Sequence, residues 1–396
     1  MGDNAAMRFH GSISGSESAY DAVEEVIAEA QRATQGKIDA VFAFITAHHR
    51  DDADEILERL WLELDPQALV GCSAEGVIGG DQEIERAPGI AILAASLPDV
   101  RIHPFHIGGR TEWRHILTDE DAMKEKLGLG EQTRAILGFG DPFTTPIGEF
   151  LPSLDEHARG IPLIGGMASS ARQPGQNVLL RNDQTLTEGM VGMTLSGPLE
   201  VETIVSQGCR PIGIPMIVTK SHDNVIEQVG GKPALKALQE VIEAMPTEER
   251  DLLQNGLLVG RAISEYRETF GRGDFLVRNV IGVEQESGAI SMADYIKTGQ
   301  TVQFHVRDAK TADEDLVMML EGQKNVDPAA GALLFSCNGR GTNLFEDPCH
   351  DIGVIKRLMP RTAVAGFFAA GELGPIGGRN FIHGHTASVA LFRPAK

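Results

Sequence analysis

Three short segments of the chain share one pattern, and that pattern restricts the fold more than any other feature. Leu69-Val70-Gly71-Cys72-Ser73-Ala74-Glu75-Gly76, Leu163-Ile164-Gly165-Gly166-Met167-Ala168-Ser169-Ser170 and Val364-Ala365-Gly366-Phe367-Phe368-Ala369-Ala370-Gly371 each pass from an apolar pair through a glycine into mostly small residues. The first and third continue to an acidic residue and a glycine pair, Glu75 with Gly79-Gly80 and Glu372 with Gly377-Gly378. A short apolar run of this kind is a buried strand, and its glycines allow another group close to the backbone. One strand-helix-strand-strand unit, used several times, accounts for the recurrence.

The surrounding sequence supplies the other parts of such a unit. Apolar residues at helical spacing predict helices over Tyr20 to Ala33, Asp54 to Leu62, Asp313 to Glu321 and Asp351 to Met359, with Ser18 as the first N-cap and Pro360 as the last stop. Pro233 to Ala244 is a further helix, opened by a proline whose missing N–H costs nothing there. Strands are predicted at Val41 to Ala47, Ala68 to Ser73, Gly89 to Leu97, Arg134 to Phe139, Ile161 to Gly166 and Met190 to Leu195. In the later part they are predicted near Met216 to Lys220, at Leu257 to Ala262, Phe275 to Val283 and Gln300 to Val306, in the run ending at Ser336, and at Thr386 to Phe392. The stretch around Trp113 reads as an irregular excursion over the surface, and Ser153 to Ala158 as no more than a helical turn or two. The expected class is α/β: repeated units forming two mixed or antiparallel sheets flanked by helices, as a four-layer sandwich. The strand order does not suit a pure Rossmann alternation, and a pair of three-layer domains is the alternative. The texture changes near residue 200, which divides the chain into 1–199 and 200–396.

Composition removes several classes of function. A formal charge of -21 repels nucleic acid and anionic membrane, so an anionic ligand would need a local basic pocket. No apolar stretch approaches the length of a membrane span, and the start of the sequence lacks an export signal, so the expectation is a cytoplasmic protein without membrane insertion. Cys72, Cys209, Cys337 and Cys349 show neither metal-type spacing nor disulfide density and read as reduced thiols. No cofactor and no metal are expected. Cys349-His350 are adjacent in sequence, and His383 and His385 would share one face of a strand, which is too little for a ligand set.

Polar residues at strand ends are the candidates for a site. Arg210, beside Cys209 and before Pro211, could grip a carboxylate bidentately, or pair with a structural acid. Cys337, Asn338 and Arg340 close a buried strand and have the same potential, or could tie their own turn. Arg278 lies in an alternating strand, facing either a ligand or solvent. Glu372 could meet an ammonium group or Arg340 itself. No pattern for a catalytic nucleophile, a phosphate loop or an elbow serine accompanies the cysteines and glycines.

Several longer segments carry a family resemblance. Gly71-Cys72-Ser73, Ser206-Gln207-Gly208-Cys209-Arg210-Pro211-Ile212-Gly213, Arg272-Gly273-Asp274-Phe275-Leu276-Val277-Arg278-Asn279 and Gly299-Gln300-Thr301-Val302-Gln303-Phe304 are followed by Ser336-Cys337-Asn338-Gly339-Arg340-Gly341. Gly366-Phe367-Phe368-Ala369-Ala370-Gly371-Glu372-Leu373-Gly374-Pro375 and Gly378-Arg379-Asn380-Phe381 complete them, in order, over nearly the whole chain. The chain resembles the FIST proteins, in both their N-terminal and C-terminal parts. The resemblance implies a small-molecule sensing module, with amino acids proposed as ligands and haem in some relatives. Its output would pass to a separate protein partner, because no kinase, cyclase or methyl-accepting segment is present. The reading is thus a sensor for an amino-acid-like or small carboxylate ligand, bound by Cys209, Arg210, Arg278, Cys337, Asn338, Arg340 and Glu372. The alternatives are an enzyme using a cysteine or polar pocket at the same strand ends, and a haem-binding sensor. Oligomeric state is left open.

Overall fold

The computed structural model describes residues 7–34, 36–266, 269–271 and 273–395. Arg272 and the first six residues, which entered the sequence reading, lie outside these. The chain forms two compact units: Met1–Val205, Val317–Ile382 and Thr386–Lys396 make the first, and Ser206–Leu316 with His383–His385 the second.

The first unit is built on three six-stranded sheets of matching design. At the centre of each is a parallel pair: Ala40–Thr46 with Ala68–Ala74, Thr133–Gly140 with Leu163–Met167, and Gly331–Cys337 with Ala363–Ala369. Parallel neighbours need a crossover, and helices Ala53–Leu64, Ile147–His157 and His350–Leu358 supply it. An antiparallel strand flanks each pair, Ile90–Ser96, Met190–Ser196 and Thr386–Pro394 respectively. The recurrent glycines occupy one position in this plan. A Cβ on Gly71 would stand 1.6 Å from the Ala43 carbonyl oxygen; on Gly165, 1.9 Å from that of Gly138; on Gly366, 1.8 Å from that of Leu334. The shared pattern in the sequence is therefore a packing requirement between paired strands.

The other end of each sheet comes from a different repeat. The hairpin Leu179–Arg181 and Gln184–Leu186 follows the second parallel pair in sequence, yet pairs with Ala68–Ala74 of the first sheet. Glu372–Ile376, after the third pair, joins Leu163–Met167 of the second sheet. Gly76–Gly79 and Gln82–Glu85, after the first pair, join Ala363–Ala369 of the third. The exchange runs round a closed cycle of three.

All three sheets turn one face to a common core. Phe42 and Phe44, Leu137 and Phe139, and Phe335, Phe367 and Phe392 meet there, with the Phe44 and Phe367 rings 4.9 Å apart and Phe44 edge-on to Phe139 at 5.3 Å. The opposite faces carry helices. Val41, Ala43 and Ile45 alternate with the core residues of their strand and pack on Val23, Ile27, Ile56 and Leu60. Trp113, Phe150 and Leu154 cover the outer side of the second sheet. Strands buried on both faces read as continuous apolar runs, which is why these were legible. The helix Ala19–Ala33 has Ser18 as its N-cap, the hydroxyl accepting from the Asp21 N–H.

The second unit contains a seven-stranded sheet in the order Cys209–His222, Thr301–Arg307, Leu257–Ala262, Phe275–Glu284, Ala289–Met292, Val225–Val229, Lys232–Pro233. The long strand Cys209–His222 also pairs with Val225–Val229, so the sheet closes on itself. Helix Ala234–Ala244 packs its Ala237 and Leu238 into the core with Ile212, Val218 and Phe304.

The class is thus α/β with mixed sheets flanked by helices, as expected, but with four sheets rather than two among the described residues. Two local expectations are corrected. The stretch around Trp113 forms helices Arg110–Thr118 and Glu120–Leu127, with Trp113 buried. The short turn expected at Ser153 to Ala158 is the end of an eleven-residue helix, Ile147–His157, that accommodates Pro152. No helix among the described residues is long and apolar enough to cross a membrane.

Candidate functional site

The end of strand Gly331–Cys337 in the first unit is followed by a tight turn, in which the Arg340 N–H donates to the Cys337 carbonyl at 2.7 Å. The turn carries the Arg340 side chain inward, where it is fully buried. A buried guanidinium needs a partner, and Asp351 at the start of helix His350–Leu358 supplies a bidentate one: Nε to Oδ2 at 2.8 Å and Nη2 to Oδ1 at 2.7 Å. The Ser336 hydroxyl donates to Asp351 Oδ2 at 2.6 Å, and His350 Nδ1 lies 3.0 Å from Oδ1. Burial acts to raise the Asp351 carboxyl, but the Arg340 charge and these hydrogen bonds hold it well below the usual carboxylate range. The His350 ring stacks on Phe345 with centroids 3.5 Å apart.

Two more carboxyls face the same charge cluster. Glu83 comes from the exchanged hairpin; its Oε1 accepts the Ile352 N–H at 2.9 Å and its Oε2 meets no hydrogen-bond partner among the described residues. Burial first, and then the neighbouring Asp351 charge, push it up to about 8. Glu372 is fully buried, and burial pushes it to about 8 as well. Its Oε2 accepts from the Thr386 N–H and hydroxyl at 3.2 and 2.8 Å, with the Cys337 thiol beside it, while Oε1 meets no partner among the described residues. Arg340 Nη1 is a third such buried atom. At neutral pH the two glutamic acids are therefore largely protonated donors, next to one arginine–aspartate pair. Such a cluster can offer hydrogen bonds to a polar guest, or take up and release protons near pH 8.

Strand ends of other repeats adjoin this cluster. The Asn338 N–H donates to the Ala369 carbonyl at 2.9 Å, and its Nδ2 donates to Glu75 at 3.3 Å. Ser169 accepts the Glu75 N–H at 2.9 Å and donates to the Phe368 carbonyl. The structure thus brings together Cys337, Asn338, Arg340 and Glu372 of the residues singled out from sequence. The other three lie in the second unit. Cys209 is buried there; Arg210 pairs with Glu249 at 2.6 Å; Arg278 lies 3.4 Å from Asp294 and donates to the Val277 carbonyl. The strand holding His383 ends at that residue, and His385, at φ 63°, leaves its line, so the two do not share a strand face. Among the described residues no three His, Cys, Asp or Glu side chains are grouped as a metal site requires.

Asp351, Glu83, Ser336 and Thr386 were missed as site residues. Asp351 stood in the sequence as an ordinary first-turn acid, and Glu83 in a polar, alternating four-residue segment. One signal was available: an arginine inside an otherwise buried segment demands an acid, and the nearest downstream helix start offers one.

The FIST N domain matches residues 39–232 and the FIST C domain residues 234–375, so the boundary between the two falls inside the second structural unit. The uncharacterized protein Rv0628c of Mycobacterium tuberculosis is 36% identical over 390 residues, covering 98% of this chain and 100% of its own length. The uncharacterized protein Mb0898c of Mycobacterium bovis is 38% identical over 347 residues, covering 87% of this chain and 88% of its own. The chain belongs to the FIST family of signalling-associated proteins, and carries both its N and C domains.

Proposed function

We propose that the chain is a cytoplasmic sensory protein that binds a small carboxylate or amino-acid-like ligand at the Arg340 cluster and passes its state to a separate protein. The observation that carries this reading is the set of unpartnered buried atoms. Among the described residues, Arg340 Nη1 is a donor without an acceptor, and Glu372 Oε1 and Glu83 Oε2 are buried carboxyl oxygens without partners. Each costs about 1–3 kcal/mol while unsatisfied, and a ligand with a carboxylate and a donor would relieve them. Arg340 is fully buried, so the 338–349 segment must open to admit such a ligand. That segment holds only a three-residue 3-10 turn, Gly341–Asn343, and Cys349 in the left-handed region at φ 58°. Ligand entry would therefore be coupled to its conformation, which is what a signalling partner could read.

The test is a thermal-shift screen of amino acids and small carboxylates on the intact chain, followed by Glu372→Gln. A ligand present at about a hundredfold its dissociation constant should stabilise the fold by about 2.7 kcal/mol. The isosteric Gln keeps the packing and the Thr386 contact while replacing the acid's hydroxyl donor by an amide, so it should weaken the hit. A screen without hits, or a hit that binds Glu372→Gln and Arg340→Lys as tightly as the wild type, overturns the assignment.

A further inference from the structure

A second candidate site lies along helix Arg110–Thr118, and it shares no residue with the Arg340 cluster. Arg110, Trp113, Arg114 and Leu117 fall at i, i+3, i+4 and i+7, on one helix face. They line a cavity of about 630 Å³ together with Phe143 and Pro146. That volume is within the range of about 300–1,000 Å³ typical of small-molecule sites.

The helix breaks two local rules on this face. Arginines four apart repel one another, and Arg110 stands in the first turn of the helix, where its dipole disfavours cations. Gly109 at the N-cap offers no side-chain acceptor. The chain has 56 acidic residues, so partners are plentiful, yet neither guanidinium forms an ion pair among the described residues. Glu149 and Glu188 line the same cavity, and among the described residues neither pairs with Arg110 or Arg114. Trp113, only 4% exposed, packs edge-on against Phe150, and its Nε1–H meets no acceptor among the described residues. Phe143, by contrast, is 43% exposed, an aromatic face left open on the cavity wall. Sequences break local rules where a function compensates for the break.

We propose that this cavity binds a monoanionic aromatic carboxylate. Its carboxylate lies between Arg110 and Arg114, relieving their repulsion, and its ring packs against Phe143, Leu117 and the Trp113 ring. Planar guanidinium groups match a planar carboxylate, and the apolar walls match an aromatic body. Glu149 and Glu188 oppose a second negative charge, which disfavours phosphate esters and other polyanions.

The chain has two tryptophans, so Trp61→Phe leaves Trp113 as the sole indole fluorophore. Phenylacetate titrated into this variant should change Trp113 emission saturably, and calorimetry on the unsubstituted chain should give the same affinity. Phenylacetamide, which lacks the charge, and phenethylamine, which reverses it, should bind at least about tenfold more weakly. Both arginines are exposed, so the double variant Arg110→Ala, Arg114→Ala should keep its circular dichroism while losing at least about tenfold in phenylacetate affinity. The proposal is overturned if phenylacetate gives neither saturable emission change nor binding heat in the millimolar range. Equal binding of the amide or the amine, or by the double arginine variant, overturns it too.

Discussion

Three carboxyls share the interior around Arg340, and burial treats them differently because only one has the guanidinium. Asp351 holds both arms of the fork and stays ionised, while Glu83 and Glu372 are pushed up to about 8. The consequences for stability have opposite signs. Between the ordinary carboxylate value of 4.5 and about 8, the folded state keeps protons on Glu83 and Glu372 that the unfolded chain has released. Their contribution is complete below that window and is lost as pH rises through it. Asp351 contributes above its ordinary value of 3.8, and that contribution is lost as pH falls. The melting temperature should therefore decline as pH is raised from about 5 to about 8.5. Glu372→Gln should flatten this decline, because an amide has no proton to lose. A wild-type profile with the same slope as Glu372→Gln would show that Glu372 is ionised in the fold at neutral pH.

At the scale of elements, the exchanged hairpins decide how the repeats hold together, and asparagines pin two of them. Asn182, at φ 53°, donates its N–H to the Leu69 carbonyl at 2.7 Å and accepts the Leu69 N–H on its side chain at 3.2 Å. Asn380 plays the corresponding part on Leu163: its Oδ1 accepts the Leu163 N–H at 2.7 Å, and its Nδ2 donates to Asp155 at 2.8 Å and to the Ile161 carbonyl at 3.0 Å. Asn380→Ala would leave buried backbone groups unsatisfied and should cost on the order of 2–3 kcal/mol, read as a lower denaturation midpoint at unchanged m-value. A loss below about 0.5 kcal/mol would mean that the hairpin is held by its strand pairing alone. The central strands and their glycines were legible because burial on both faces leaves an unbroken apolar run. The hairpins were not. Gln82–Glu85 is four mostly polar residues, and the strand that its hairpin joins through Gly76–Gly79 lies hundreds of positions along the chain, beyond any local pattern. The helices around Trp113 escaped for a related reason: their apolar residues are sparse, and only the packing of Trp113 on Phe150 shows which face is inward. Of the site, Arg340 and Glu372 could be suspected from strand-end position, but Glu83 reaches Arg340 only through the exchange.

For the first unit as a whole, the cycle of exchanged hairpins has a thermodynamic consequence. Each sheet needs strands from two repeats, and the three inner faces share one aromatic core in which Phe44, Phe139, Phe335 and Phe367 are in mutual contact. Opening any one repeat withdraws a hairpin from a neighbour and a wall from the core. The cost is therefore borne by all three, unlike a solenoid whose terminal repeats fray first. Native-state hydrogen exchange should then report opening free energies for Ala40–Thr46, Thr133–Gly140 and Gly331–Cys337 that agree within about 1 kcal/mol. The comparison is informative because these strands hold the same place in their three sheets and are almost wholly buried, so differences in exposure do not confound it. The third is the demanding case. Its repeat is interrupted in sequence by the second unit, and the Arg340 turn follows it directly. If Gly331–Cys337 opened several kcal/mol below the other two, the cycle would not be cooperative, and ligand-driven movement of the 338–349 segment could proceed without disturbing the remaining sheets. If all three open together, that movement must instead be a local rearrangement beyond Cys337, with the strand itself left in place.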